Sequence, residues 1–207
     1  MTIDINNCVA FAERELTPGR FQHSLGVMQV MSELAAVYEL DETTARMCGI
    51  LHDAAKEFPL DRQLEMAEKN NISLRTEFDK YPLFLHGPVG ACYIAEELGV
   101  SDPMILDAIL NHSYFGDGPS LSPLLCWCLR FADVLEPSRD WNDIQNQLRP
   151  PVYSGNVQEG AHVLMKWMIP FHESESVPVH PNMRRVLRDL SSLMEQKGSC
   201  AIDALPV

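Results

Sequence analysis

A chain of 207 residues, 46% of them hydrophobic, is long enough to bury a full core as one domain. Its 16 Lys and Arg against 29 Asp and Glu give a formal net charge of −13, which disfavours duplex nucleic acid and anionic membranes and admits an anionic small molecule only where cations are gathered locally. The chain opens without a basic and apolar leader, has no run long enough to cross a bilayer, and carries six cysteines (8, 48, 92, 126, 128 and 200) without a CxxC pair, so reduced thiols and a cytoplasmic setting are expected.

Apolar residues at 5, 8, 9, 11, 12 and 16 trace one face of a first helix from Ile5 to Leu16. Thr17-Pro18 closes it and opens a second, because a threonine cap with proline at the first helical position is a start signal. The second helix runs to about Tyr38 on Phe21, Leu25, Met28, Met31, Leu34 and Ala35, with His23 near its first turn. Asp41 caps a third, Glu42 to about Ala55, which delivers His52 and Asp53 at its C-terminal end. A short helix over 61–70 and an irregular connection over 73–81 follow, and then His86-Gly87-Pro88, with the histidine placed before the first turn of a helix reaching Leu98.

Ser101-Asp102-Pro103 caps a helix that ends in Asn111-His112, and Gly116-Asp117-Gly118-Pro119 makes a loop. Ser122-Pro123 repeats the cap pattern and begins Leu124 to Leu135, apolar enough all round to belong at the centre of the core, with Arg130 and Asp133 the odd residues in it. Beyond Pro137, helices are expected over 141–148, 155–169 and 181–194, and a frayed tail over 196–207. No run alternates with period two, so the expected fold class is all-α: one helical domain over 1–195, then the tail.

His23, His52, Asp53, His86, His112 and Asp133 all fall at helix ends or inside apolar helices. Any one of them alone would pass as a histidine satisfied by a carbonyl or a capping carboxylate; the six together suit two divalent ions that share Asp53. Two such ions activate a water and clamp both oxygens of a displacement at phosphorus, which is phosphoester and phosphoanhydride chemistry. Histidine with carboxylate in incomplete shells favours Fe, Mn or Co over a closed structural zinc site. His162, His172 and His180 match no ligand motif and read as structural.

The series Arg20-x-x-His23-Ser24-x-Gly26-Val27, Leu51-His52-Asp53-Ala54-Ala55-Lys56, His86-Gly87-Pro88-Val89-Gly90-Ala91, Asn111-His112-Ser113 and Ala132-Asp133-Val134-Leu135-Glu136-Pro137-x-Arg139 resembles the HD-domain metal-dependent phosphohydrolases, and more closely their YqeK branch, the symmetrical diadenosine tetraphosphate hydrolases. The resemblance covers about residues 10 to 195, including Val179-His180-Pro181. It implies a helical HD bundle around a buried di-metal site, often iron, that cuts diadenosine tetraphosphate into two ADP. One metal would sit on His23, His52, Asp53 and Asp133, the second on Asp53, His86 and His112. Arg20, Lys56 and Arg139 match its positively charged positions and would hold phosphates beside the catalytic Asp53. Where the branch has Thr after its fourth histidine, Ser113 keeps the hydroxyl, and Tyr114 and Phe115 change the surroundings.

Two other functions fit the same residues: another HD-type nucleotide phosphatase or phosphodiesterase acting on a monophosphate, cyclic nucleotide or alarmone, and a non-catalytic nucleotide-sensing HD module. Met28, Met31, Met47 and Met66 suit a partner face as well as a core, which leaves a homodimer open.

Overall fold

The computed structural model describes residues 4–113 and 120–195. Ten helices and no strand occur among them: α1 (Ile5–Glu15), α2 (Pro18–Tyr38), α3 (Glu42–Leu51), α4 (Leu60–Lys69), α5 (Pro82–Glu97), α6 (Pro103–Asn111), α7 (Pro123–Leu135), α8 (Asn142–Tyr153), α9 (Val157–Ser174) and α10 (Pro181–Glu195). The all-α expectation holds. The loop over 116–119, Tyr114, Phe115, Cys200 and the expected tail lie outside the described residues; Cys8, Cys48, Cys92, Cys126 and Cys128 are free thiols. None of the described helices is long and apolar enough to cross a membrane.

The centre of the bundle is α7, whose residues from Leu125 to Leu135 are buried except Asp133. It packs against α2, α3, α6, α8 and α9, which a helix apolar on every side requires. The buried Arg130 reaches sideways from it, donating from Nε to the His112 carbonyl (3.2 Å) and from Nη2 to the Asn111 carbonyl (2.6 Å). A guanidinium is well placed there: the end of α6 leaves carbonyls without helical partners and carries the negative pole of the helix. The end of α6 is thereby tied to the core helix.

The start of α2 falls where Thr17-Pro18 puts it, with the Thr17 hydroxyl accepting from the Arg20 amide. Four boundaries differ from the sequence reading. Helix α3 stops at Leu51 and passes into tighter turns, Ala54 to Leu51, Lys56 to Asp53 and Phe58 to Ala55, each closed by an amide bonded three residues back. Helix α5 starts at Pro82, so His86 lies inside it and Pro88 costs only one interior amide, the partner of the Phe84 carbonyl. Helices α8 and α9 run through Pro150-Pro151 and Pro170, because a proline φ is already helical and the missing amide falls in the last turns.

Two glycines set how closely the helices around the site approach. A Cβ on Gly49 would stand 2.6 Å from the Met28 Cα and 2.8 Å from its nitrogen, so α2 and α3 touch backbone to backbone there. On Gly87 it would stand 2.9 Å from the Leu110 carbonyl oxygen, which brings α5 onto the end of α6. These two contacts draw His23 toward His52 and His86 toward His112.

Candidate metal centre

Each residue expected as a ligand comes from a different piece of local structure. His23 projects from the second turn of α2, and His52 caps α3 with Asp53 next in the turn that follows. His86 lies in α5, His112 caps α6, and Asp133 is in the last turn of α7. His52, still helical in its backbone, and Asp53, at the head of the tighter turns after Leu51, both reach the pocket because the helix end itself abuts it. Glu57 anchors that turn to the start of α2, accepting from the Thr17 amide (2.9 Å) and hydroxyl (2.7 Å).

Asp53 is at the middle. Its Oδ2 stands 3.5 Å from His52 Nε2 and 3.7 Å from His23 Nε2, and its Oδ1 3.2 Å from His86 Nε2 and 3.8 Å from His112 Nε2. His23, His52 and Asp53 form one group able to hold an ion; Asp53, His86 and His112 form a second. Asp133 joins the first group, its Oδ1 being 3.1 Å from His23 Nε2 and 4.0 Å from His52 Nε2.

The other ring nitrogens determine which face each histidine shows. His52 Nδ1 donates to the Gly49 carbonyl (2.8 Å), His112 Nδ1 to the Ile109 carbonyl (2.7 Å), and His23 Nδ1 to the Glu136 carboxylate (2.9 Å). The Pro82 carbonyl lies 3.3 Å from His86 Nδ1. Carbonyls and carboxylates only accept, so the Nδ1 hydrogens are spoken for and the Nε2 lone pairs turn inward. His52 Nε2 is buried with no hydrogen-bond partner among the described residues, and the Nε2 atoms of His86 and His112 face each other at 3.0 Å. Inward lone pairs converging on carboxylate oxygens repel unless cations stand among them, so the donor set fits divalent metal. Glu136, buried and not expected as a site residue from the sequence, is the carboxylate that fixes the His23 ring.

Three cations surround the carboxylates. Arg20 Nη1 lies 2.9 Å from Asp53 Oδ2, Arg139 Nη2 lies 2.8 Å from Asp133 Oδ1, and Lys56 Nζ lies 3.4 Å from His86 Nε2. All three line one cavity of about 370 Å³ together with His86, His112, Asp133 and Ser113. Burial works against ionisation of Asp53, but its charged and imidazole neighbours, His52 and Lys56 foremost, hold its carboxyl well below the usual range. Asp133, partly exposed on the cavity wall, is likewise held low, by His23 and Arg139 against the desolvation around it. Burial drives His52 down to about 4; burial and the neighbouring Lys56 drive His86 down to about 3. For His23, burial is outweighed by Asp133, Glu136 and Asp53, and its pKa rises. The other histidines lie apart from the cluster: His162 meets Ser191 Oγ at 3.2 Å, His180 pairs with Asp79 at 3.1 Å, and His172 bonds the Pro178 carbonyl while lining the cavity wall.

These shifts make the metal-free protein acid-labile. An unfolded imidazole takes its proton near 6.5, whereas folded His52 and His86 stay neutral to about 4 and about 3, so below about 6.5 the unfolded chain binds more protons. Stability falls with pH by about 1.4 kcal/mol per unit for each ring, and Asp53 and Asp133 add losses in the same direction as pH drops below about 4. His23 opposes, since its contribution is complete below about 6.5 and is lost only as pH rises through its elevated pKa. Denaturant titrations in chelator are expected to show a net loss of roughly 2 to 4 kcal/mol between pH 6.5 and 5. A flat profile would mean that the two rings are not buried neutral.

The family model described as "HD domain" matches residues 20–138. A symmetrical bis(5'-nucleosyl)-tetraphosphatase of Halalkalibacterium halodurans is 33% identical over 130 residues, 63% of this chain and 67% of that protein. Its namesake in Bacillus subtilis is 33% identical over 131 residues, 63% and 68%. The crystal structure of a predicted HD superfamily hydrolase involved in NAD metabolism, from Clostridium acetobutylicum, superposes with a TM-score of 0.82 at 25% identity, over 93% of this chain and 100% of that one.

Proposed function

Because the chain belongs to the HD domain family of metal-dependent phosphohydrolases, we propose that it cleaves a nucleotide phosphoanhydride, diadenosine tetraphosphate above all, symmetrically into two ADP. The observation that carries this is the two-sided contact of Asp53, one oxygen toward His23 and His52 and the other toward His86 and His112, as a bridging carboxylate requires. His23, His52, Asp53 and Asp133 would hold one divalent ion and Asp53, His86 and His112 the second, with iron first and manganese or cobalt as substitutes. Bound there, the ions would supply a nucleophile at neutral pH and a clamp on the attacking and leaving oxygens.

The chain's own residues do the rest. His52 and His86 are neutral across the physiological range and need shed no proton to act as ligands. Arg20, Lys56 and Arg139 line the cavity beside the cluster with charge that a polyphosphate chain can take up, the two arginines exchanging a carboxylate partner for phosphate oxygens. Ser113, with its Oγ buried and unbonded among the described residues, offers a further donor on the same wall. The working unit would extend through α10 to residue 195, since α9 supplies Trp167, Met168, Phe171 and His172 to the cavity lining and α10 packs against α9.

Product analysis tests the reading. Protein purified without chelator is expected to turn diadenosine tetraphosphate over to ADP alone, two per substrate. AMP with ATP, or no turnover by metal-loaded protein, counts against it. Nucleotide binding by protein that takes up no metal would point to a sensing module instead.

A further inference from the structure

We propose that Trp141, Trp167 and Phe171 form a nucleobase platform, so that the cavity seats phosphates at the histidine cluster and stacks a base on its aromatic wall. For the phosphate end this rests on the function proposed above. The cavity of about 370 Å³ has a chemically mixed lining, His86, His112 and Asp133 together with the three aromatic rings. Trp167 and Phe171, one turn apart on α9, stack with centroids 4.5 Å apart and planes 15° from parallel. Trp141, at the start of α8, leans on both, 5.2 Å from Trp167 and 5.3 Å from Phe171.

These rings are not finished core. Trp127 inside α7 is 0% exposed, while Trp141, Trp167 and Phe171 are all only partly covered and border the cavity. A bare phosphate chain would gain nothing from an apolar aromatic wall next to its cations. A nucleoside polyphosphate has both halves of the matching chemistry: anionic oxygens for the cations and a flat π-face for the rings. Arg139 joins the two parts of the lining, its guanidinium bonded to Asp133 at 2.8 Å and lying 4.5 Å from the Trp141 ring centroid. Stacking of this kind accepts any base, so the platform selects nucleotide over inorganic phosphate and leaves the choice of base to other contacts.

ADP and pyrophosphate, the same two phosphates with and without the nucleoside, separate base from phosphate binding. In the metal-loaded wild type, ADP is expected to quench tryptophan emission from Trp141 and Trp167 and pyrophosphate to leave it nearly unchanged; no quenching by ADP overturns the platform. By calorimetry, Trp167→Leu is expected to weaken ADP binding about tenfold to a hundredfold and pyrophosphate binding less than twofold, with Trp167→Phe restoring most of the loss. Equal losses for both ligands, or unchanged ADP affinity, would make Trp167 structural only. Cleavage of diadenosine tetraphosphate with unaltered ADP binding in Trp167→Leu sinks the platform and spares the proposed function. Quenching by ADP without any hydrolysis does the reverse.

Discussion

Asp53→Ala is expected to lose both ions together and to lower kcat/KM for phosphoanhydride hydrolysis on the order of a thousandfold or more, with the helical circular-dichroism signal retained. The effect should be this large because one carboxylate faces both histidine pairs, so its removal strips a ligand from each group at once. His112→Ala touches only the second group and is expected to leave about one ion per chain. The fold should survive, because Asp53 sits in a turn after α3 and contributes no apolar packing to the core around α7. Metal content by mass spectrometry beside steady-state kinetics checks both halves. Turnover within tenfold of wild type would remove Asp53 from the centre of the chemistry.

Among the described glycines, Gly49→Ala should be the most damaging alanine substitution. The added methyl would meet the Met28 backbone at 2.6 and 2.8 Å, where no side-chain rotation can relieve the contact. Helices α2 and α3 would have to separate, at a cost of about 3 kcal/mol or more, lowering Tm by about 10 °C. The same separation moves His52 away from His23, because His52 is held by its bond to the Gly49 carbonyl. A misplacement of about 1 Å in a catalytic group can cost about a hundredfold in rate, so metal retention and turnover should fall beyond what the loss of stability explains. Calorimetric unfolding with metal titration measures both; a variant as stable as wild type would mean the crossing is looser than its backbone distances.

Much of this architecture is legible in the chain itself. Thr17-Pro18 marks the start of α2, and the run from Leu124 to Leu135 announces the central helix with Asp133 as its one outward carboxylate. The family motifs name the six residues that the structure brings together. The end of α3 is not legible: its change to tighter turns after Leu51 leaves no Gly or Pro signature within residues 52–58. Pro88 reads as a helix start because proline favours the first turn, while Tyr81-Pro82 carries the true start with the same signal. Glu136 and the Gly49 and Ile109 carbonyls orient histidines through contacts that folding alone creates. The aromatic wall is half visible, Trp167 and Phe171 being four apart on one helix, but Trp141 joins them through the packing of the α8 region on α9.

The anchoring of the four imidazole rings through Nδ1 has a kinetic corollary. Since the coordinating face exists before an ion arrives, uptake needs little conformational search, and its rate should follow how readily each hydrated ion sheds water. Swapping one transition ion for another would then leave the surrounding helices in place, and the species carried would be set by what the surrounding medium supplies.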